Sequence, residues 1–160
     1  MTKFRYGVVG ALGAVALTIP LMATVPAAAA SGAGAATFKN QQTRTCLKAT
    51  PKKPVTGKCA KAGKAQTWKV IGTKAGRNVL KSRMLKNAKS GKCLTGHRSG
   101  KAVSLRKCSK GNKLQRWSLT DSGLTTNDKN RQCLKTNGRA VWTAVCRDAK
   151  AYRWTMTKVK

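Results

Sequence analysis

Acidic side chains are almost missing from this 160-residue chain, which has no glutamate and only three aspartates, Asp121, Asp128 and Asp148. His97 is its single histidine. General acid–base catalysis and glycoside hydrolysis by paired carboxylates depend on these side chains. The composition therefore favours a binding protein over an enzyme, and we expect neither a cofactor nor a metal ion.

A long apolar run occurs only near the amino terminus. Lys3 and Arg5 precede an uncharged stretch from Gly7 to Thr37, and small residues follow the apolar part at Ala27 to Ala30. This order is typical of a secretory signal peptide. We predict a cleaved signal peptide at residues 1–30, a flexible linker at residues 31–37 and a secreted, extracellular protein. A membrane anchor is the alternative, because the run is just long enough to span a bilayer.

Basic side chains dominate the rest of the chain. Residues 31–160 carry 32 lysines and arginines against three aspartates, a net charge of +29. Internal ion pairs can neutralise little of this charge, so self-repulsion is uncompensated unless a polyanion binds. We therefore expect an anionic partner; the alternative is a solvated surface that only keeps the protein soluble.

The six cysteines all lie in the predicted exported part, as three pairs of near neighbours separated by 13, 15 and 13 residues. An even number of cysteines in a secreted chain indicates disulfides. A zinc site is disfavoured, because the chain has no C-x-x-C motif and one histidine. The spacing predicts the disulfides Cys46–Cys59, Cys93–Cys108 and Cys133–Cys146.

These cysteine pairs belong to an internal repeat that occurs three times. Each copy begins with Cys-Leu, continues to its second cysteine and ends in Gln-x-Trp, except that the third copy has Tyr152 in place of the glutamine. We place the repeats at about residues 38–72, 73–123 and 124–160. An asparagine precedes each first cysteine by six residues, at Asn40, Asn87 and Asn127. We expect the final tryptophan of each repeat, Trp68, Trp117 and Trp154, to be buried in a shared core.

The segments inside each repeat favour short β-strands. Residues 141–145 are rich in β-branched and aromatic side chains, and Asn137-Gly138 is typical of a tight turn. That turn is not midway between Cys133 and Cys146, so a bulge or a longer loop is expected there. Three such units cannot each bury an apolar face alone, so we predict an all-β barrel closed around a threefold axis.

The threefold pattern C-L … C … Q-x-W resembles the ricin B-type lectin family, whose fold is a β-trefoil. The resemblance covers residues 38–160 and implies carbohydrate binding. In that family an acidic residue after Cys-Leu, an aromatic residue two before the second cysteine and often an asparagine three before the tryptophan recognise the sugar. The residues here are Lys48, Thr95 and Lys135; Gly57, Arg106 and Ala144; and Ala65, Leu114 and Ala151.

Candidate ligand-binding residues follow from these departures. A lysine can only donate hydrogen bonds, whereas a carboxylate accepts them from sugar hydroxyls, so Lys48 and Lys135 favour anionic glycans. The third repeat is the best place for a glycan pocket, because Trp142 lies near a turn and an indole can stack on a sugar ring. Burial of Trp142 in the core is the alternative. The candidates are Lys48, Thr95, Lys135, Asn137, Arg139 and Trp142.

The junction between the first two repeats is a second candidate region. It is longer than the next junction and rich in basic residues, so we predict an electrostatic contact there; a solvated loop is the alternative. Its residues are Lys74, Arg77, Lys81, Arg83, Lys86 and Lys89.

Three functions remain open at this point. The first is a lectin-like module that binds an anionic polysaccharide or cell-wall polymer. The second is a polycation that binds nucleic acid or an anionic membrane surface through charge alone, with antimicrobial consequences. The third is a protein-interaction or inhibitor trefoil, which rests on fold analogy. The sequence does not predict the oligomeric state.

Secretion can be tested directly. We expect the exported protein to lack about the first 30 residues, since small side chains at Ala28 and Ala30 suit signal peptidase. Intact-mass measurement of protein recovered outside the cell checks this. Recovery of the uncut chain from the membrane fraction would favour the anchor instead.

Overall fold

The structure is a computed structural model that describes residues 34–60, 63–72 and 80–159. The predicted signal peptide lies outside these residues. Within them, no helix is long and apolar enough to cross a membrane, and no group of potential metal ligands clusters.

Twelve short strands make up nearly all the regular structure of the described residues, with two 3₁₀ turns at Lys113–Gln115 and Lys150–Tyr152. Each repeat supplies four consecutive strands. The first repeat contains β1 (Ala35–Asn40), β2 (Cys46–Ala49), β3 (Pro54–Gly57) and β4 (Trp68–Ile71). The second contains β5 (Leu80–Asn87), β6 (Cys93–Thr95), β7 (Ser104–Arg106) and β8 (Arg116–Leu119). The third contains β9 (Thr125–Asn127), β10 (Cys133–Thr136), β11 (Val141–Ala144) and β12 (Trp154–Val159).

The first and last strands of the repeats pair into a barrel. The antiparallel order runs from β12 through β1, β4, β5 and β8 to β9. A bridge between Leu124 and Arg153 joins the ends of this series. Closure leaves no long open edge on the barrel, which removes a template for aggregation.

The middle strands of each repeat form hairpins that contact one another at one end of the barrel. The pairs are β2–β3, β6–β7 and β10–β11. Bridges join Val55 to Ala140 and Ala102 to Trp142. This arrangement is the β-trefoil that the sequence predicts. The longer loop expected in the third hairpin is also present, because β10 ends at Thr136 and β11 begins at Val141.

The predicted core tryptophans are buried, with Trp68 and Trp117 at 0% and Trp154 at 1% exposure. Each indole Nε1 donates to the carbonyl of the leucine that follows the first cysteine of its own repeat, at 2.9–3.0 Å. The indole therefore gains apolar burial without leaving a buried polar atom unpaired. The accepting carbonyls belong to Leu47, Leu94 and Leu134.

The repeated asparagines join each repeat to the one before it. Asn127, fully buried, donates from Nδ2 to the carbonyls of Leu114 and Arg116 at 2.7 and 3.1 Å. Its Oδ1 accepts from the backbone N–H of Lys129 in the following turn. Asn40 and Asn87 make the equivalent bonds.

The three disulfides join Cys46 to Cys59, Cys93 to Cys108 and Cys133 to Cys146, as the spacing predicts. Each one links the hairpin of a repeat to the segment that follows it. The described residues contain no free cysteine.

The expected linker at residues 31–37 is wrong over its last three residues. Residues 35–37 belong to β1 and pair with residues 157–159 of β12. Ala36 in this segment is 2% exposed, because the strand alternates between the core and solvent.

Replacing Asn127 with alanine should lower the free energy of unfolding by about 3 kcal/mol, because buried carbonyls and N–H groups lose their partners. Urea unfolding measures this. Asn112→Ala is the matched control: its side chain accepts one bond, from Leu114 N–H, so about 1 kcal/mol is expected. Equal losses in the two variants would contradict the linking role of Asn127.

Candidate functional site in the third repeat

The three hairpins place equivalent residues side by side, so their surfaces can be compared directly. The residue after Cys-Leu faces a partner on the adjacent strand: Lys48 faces Val55, Thr95 faces Ser104 and Lys135 faces Trp142. Directly opposite residues of antiparallel strands lie close enough to contact. Only the third hairpin therefore combines a cation with an aromatic ring at this position.

An open cavity of about 720 Å³ lies over the third hairpin. Lys135 lines it, with its Nζ 5.6 Å from the centroid of the Trp142 ring and 4.9 Å from that of Tyr152. An ammonium at these distances is attracted by the negative face of each ring. The two contacts restrict the position of the lysine side chain.

Tyr152 stands where the other two repeats have a glutamine, and this difference changes the hydrogen bonds of the loop beside the cavity. In the second repeat, Gln115 accepts from Ser109 N–H and donates to the carbonyl of Lys107, at 2.8 and 2.9 Å. Gln66 makes the equivalent bonds in the first repeat. A tyrosine has no amide group, so Tyr152 cannot make both of these hydrogen bonds. Its ring packs instead with Cys133 and Ala151 and lines the cavity.

The rim of the cavity is rich in hydrogen-bond donors and contains no carboxylate among its described lining residues. Arg147 is exposed there, and Val145 is 60% exposed. Gln42 and Ser99 reach the same cavity from the first and second repeats. The arrangement can therefore present aromatic and apolar surface together with cationic and amide groups to one ligand.

The corresponding surface of the first repeat is different. Lys48 is exposed but does not line a described cavity. A small cavity of about 210 Å³ is formed by the hairpin tip of this repeat and the turn after β5. Its lining residues are Ala49, Thr50, Pro51, Lys89 and Ser90.

In the second repeat the equivalent residue, Thr95, is buried, so the prediction that it binds a ligand is corrected. Thr95 is 4% exposed, donates to the Cys93 carbonyl and lies 3.3 Å from Gln115 Nε2. Its hydroxyl is therefore used inside the protein. His97, a loop residue, bonds through Nε2 to Ser104 Oγ at 2.8 Å.

The structure brings together Lys135, Asn137 and Trp142 of the predicted candidates. Trp142 is half-buried, so it is neither a core residue nor fully exposed. Arg139 is exposed but is not among the lining residues, and its carbonyl accepts from Thr56 N–H. Sequence reasoning missed the cavity role of Tyr152, although its replacement of glutamine was visible.

The basic junction gives a mixed result. Lys81 and Lys89 are exposed and Lys86 is half-buried. Arg83 is 6% exposed and packs beside Gly72, where an added Cβ would lie 2.9 Å from its Cδ, so it is not an accessible contact. Lys74 and Arg77 lie outside the described residues.

Comparison with known proteins identifies the family. Residues 81–160, which are half of the chain, match the family model described as a ricin-type beta-trefoil lectin domain. The chain belongs to the ricin-type β-trefoil lectin family. Domains of this family are carbohydrate-binding modules, attached to enzymes in some proteins. A search of curated proteins finds no match.

Solved structures agree on the fold. The designed threefold-symmetric protein ThreeFoil is 17% identical with a TM-score of 0.64, covering 78% of this chain and 98% of its own. An endo-β-galactosidase from Clostridium perfringens that releases GlcNAcα1-4Gal is 19% identical with a TM-score of 0.65. The match covers 79% of this chain and 33% of that enzyme.

A third similar structure is a non-toxic homologue of type II RIPs from bitter gourd, Momordica charantia, in complex with α-methyl-D-galactoside. It is 17% identical with a TM-score of 0.65, covering 78% of this chain and 48% of its own. This chain thus spans a half or less of the two natural proteins. At these identities the likeness shows the fold alone.

Iodide quenching should detect Trp142 selectively. The other three tryptophans are at most 1% exposed, whereas Trp142 is half-buried, and the basic surface attracts the iodide anion. We expect about one of the four indoles to be quenched. Trp142→Phe should remove the effect; persistent quenching in that variant would contradict the assigned exposure.

Proposed function

We propose that this protein is a secreted, non-catalytic lectin that binds glycans carrying carboxylate, sulfate or phosphate groups, with its working site in the third-repeat cavity. The observation that carries the proposal is the position of Lys135. It occupies the place where the family resemblance implies a sugar-binding acid, and its ammonium contacts two aromatic rings.

The change from an acid to a lysine reverses the hydrogen-bonding preference of the site. A carboxylate accepts from neutral sugar hydroxyls, whereas the Lys135 ammonium only donates and carries a positive charge. Contact with Trp142 and Tyr152 restricts its side chain before a ligand arrives, which reduces the entropy lost on binding. An anionic group on a sugar is the partner that this arrangement suits best.

The surrounding side chains support a sugar ring as the carrier of that anion. The half-buried Trp142 offers aromatic surface for the apolar face of a pyranose, while Tyr152, 4% exposed, forms part of the cavity wall. Asn137 and Gln42 line the same cavity and can exchange hydrogen bonds with hydroxyls. The bitter gourd neighbour, solved with α-methyl-D-galactoside, supports the use of this fold for single sugar residues.

The overall charge favours anionic polymers at long range. The described residues contain one ion pair, between Arg153 and Asp148, so almost all other basic groups lack a carboxylate partner. A field of one sign speeds the approach of an oppositely charged polymer and weakens with salt.

A non-catalytic, extracellular role fits the same residues. No aspartate is among the described residues that line the cavity. Asp148 instead pairs with Arg153, and Asp128 accepts from Ser118. Three disulfides persist best in an oxidising compartment, which supports secretion.

A glycan array at physiological salt tests the ligand class. We expect glycans with acidic groups to be retained more strongly than neutral galactosides, because Lys135 and Arg147 provide charge-assisted donors. Selective binding of neutral galactosides would contradict the proposal. Equal retention of every polyanion, including DNA and anionic vesicles, with loss at modest salt would favour a polycation without sugar recognition.

Variants of the cavity test its location. Trp142→Ala and Lys135→Gln should each weaken binding of an acidic oligosaccharide by roughly tenfold, since ring contact and charge are each worth on the order of 1 kcal/mol. Isothermal titration calorimetry measures the affinity. Lys48→Gln is the matched control, because Lys48 is equivalent to Lys135 but faces Val55. An equal loss in the control would place binding outside the cavity.

A further inference from the structure

A row of basic residues runs from β4, the last strand of the first repeat, across the first three strands of the second repeat, and none of them lines the third-repeat cavity. Lys69 on β4 lies directly opposite Lys86 on β5, which pairs with Cys93 on β6, and Cys93 faces Arg106 on β7. Lys69 and Arg106 are exposed and Lys86 is half-buried. Three cations therefore lie on one line of neighbouring strands.

Two more lysines lie next to the disulfide of this repeat. Lys92 and Lys107 directly precede Cys93 and Cys108, whose Cα atoms are 5.0 Å apart. Both lysines are exposed. The carbonyl of Lys92 also accepts from Asn87 N–H, which places it beside the strand that carries Lys86. Together Lys69, Lys86, Lys92, Arg106 and Lys107 form what we call the second-repeat basic cluster.

The threefold symmetry shows that this charge is not a general property of the fold. The five equivalent positions of the first repeat carry two charges, and those of the third repeat carry none. In the first repeat they are Thr155, Lys39, Thr45, Gly57 and Lys58. In the third they are Ser118, Thr126, Gln132, Ala144 and Val145.

The cluster is unfavourable for the protein alone. Like charges directly opposite on antiparallel strands destabilise a sheet, as Lys69 and Lys86 do here. The ion pair found among the described residues joins Arg153 and Asp148 and does not include this cluster. A bound polyanion would turn the same repulsion into attraction.

We propose that the second-repeat basic cluster is a second binding surface, which holds a linear anionic polysaccharide through closely spaced sulfate or carboxylate groups. The choice of a polysaccharide rests on the proposed function. This choice is supported by the burial of the described aromatic side chains, which are all at most 4% exposed except Trp142 of the third hairpin, since stacking of single-stranded bases needs exposed rings. Four of the five are lysines, which act as point charges toward single anionic groups.

Salt-dependent binding to heparin, a sulfated polysaccharide used as the probe, tests the cluster. The triple variant Lys69→Gln, Lys86→Gln, Arg106→Gln should bind roughly tenfold more weakly, and the slope of log affinity against log salt should fall by about two to three, because fewer counterions are released. Thermal unfolding at low salt checks the fold, and removal of the Lys69–Lys86 repulsion should leave the melting temperature unchanged or raised.

The matched control removes the same charge elsewhere, through Lys52→Gln, Lys129→Gln and Lys158→Gln, all at exposed positions. We expect its affinity and slope to stay near those of the unaltered protein. Equal losses in the two triple variants would show that net charge alone matters and would overturn the cluster. Double-stranded DNA that binds as tightly as heparin, and is equally weakened by the cluster variant, would overturn the polysaccharide assignment.

Failure of the cavity is distinguishable from failure of the cluster. A short acidic oligosaccharide reports on the cavity through Trp142→Ala, whereas long heparin reports on the cluster. If Trp142→Ala has no effect on the oligosaccharide while the cluster variant still loses heparin selectively, the proposed cavity is wrong and the cluster stands. If Trp142→Ala weakens binding of the oligosaccharide while the cluster variant loses no more heparin affinity than its control, the cluster is wrong and the proposed cavity stands.

Discussion

The trefoil depends on the hydrogen bonds that the buried asparagines make between repeats. Each one donates to two carbonyls of the preceding repeat and accepts from at least one N–H group of its own following turn. Asn87, for example, donates to the carbonyls of Ala65 and Thr67 and accepts from the N–H groups of Lys89 and Ser90. Since the last repeat is held to the first through Asn40, the set closes the ring. A polar group with all its partners can be buried without cost, and it then fixes the geometry around it.

This inner scaffold leaves the outer hairpins free to differ. The tryptophans, asparagines and disulfides are the same in all three repeats, but the residue opposite Lys48, Thr95 or Lys135 changes from Val55 to Ser104 to Trp142. One repeat therefore provides an aromatic cavity and another a basic cluster. The protein is symmetric in its core and asymmetric in the surfaces that we assign to ligands.

Much of the fold follows from the sequence because its signals are local and occur three times. Cysteine spacing, the Cys-Leu pairs and the final tryptophans predict the disulfides, the repeats and the core. The cavity is only partly predictable. Gln42 is brought to the third hairpin by closure of the ring, and no local pattern around it indicates this. Thr95 and Arg83 are polar residues whose burial depends on tertiary packing against Gln115 and Gly72.

The crystal structure of the protein with an acidic oligosaccharide tests the account most directly. We predict a sugar ring against Trp142 in the third-repeat cavity, with its acidic group bonded to the Lys135 ammonium. A sugar bound at the first or second hairpin, with the cavity empty, would contradict the assignment.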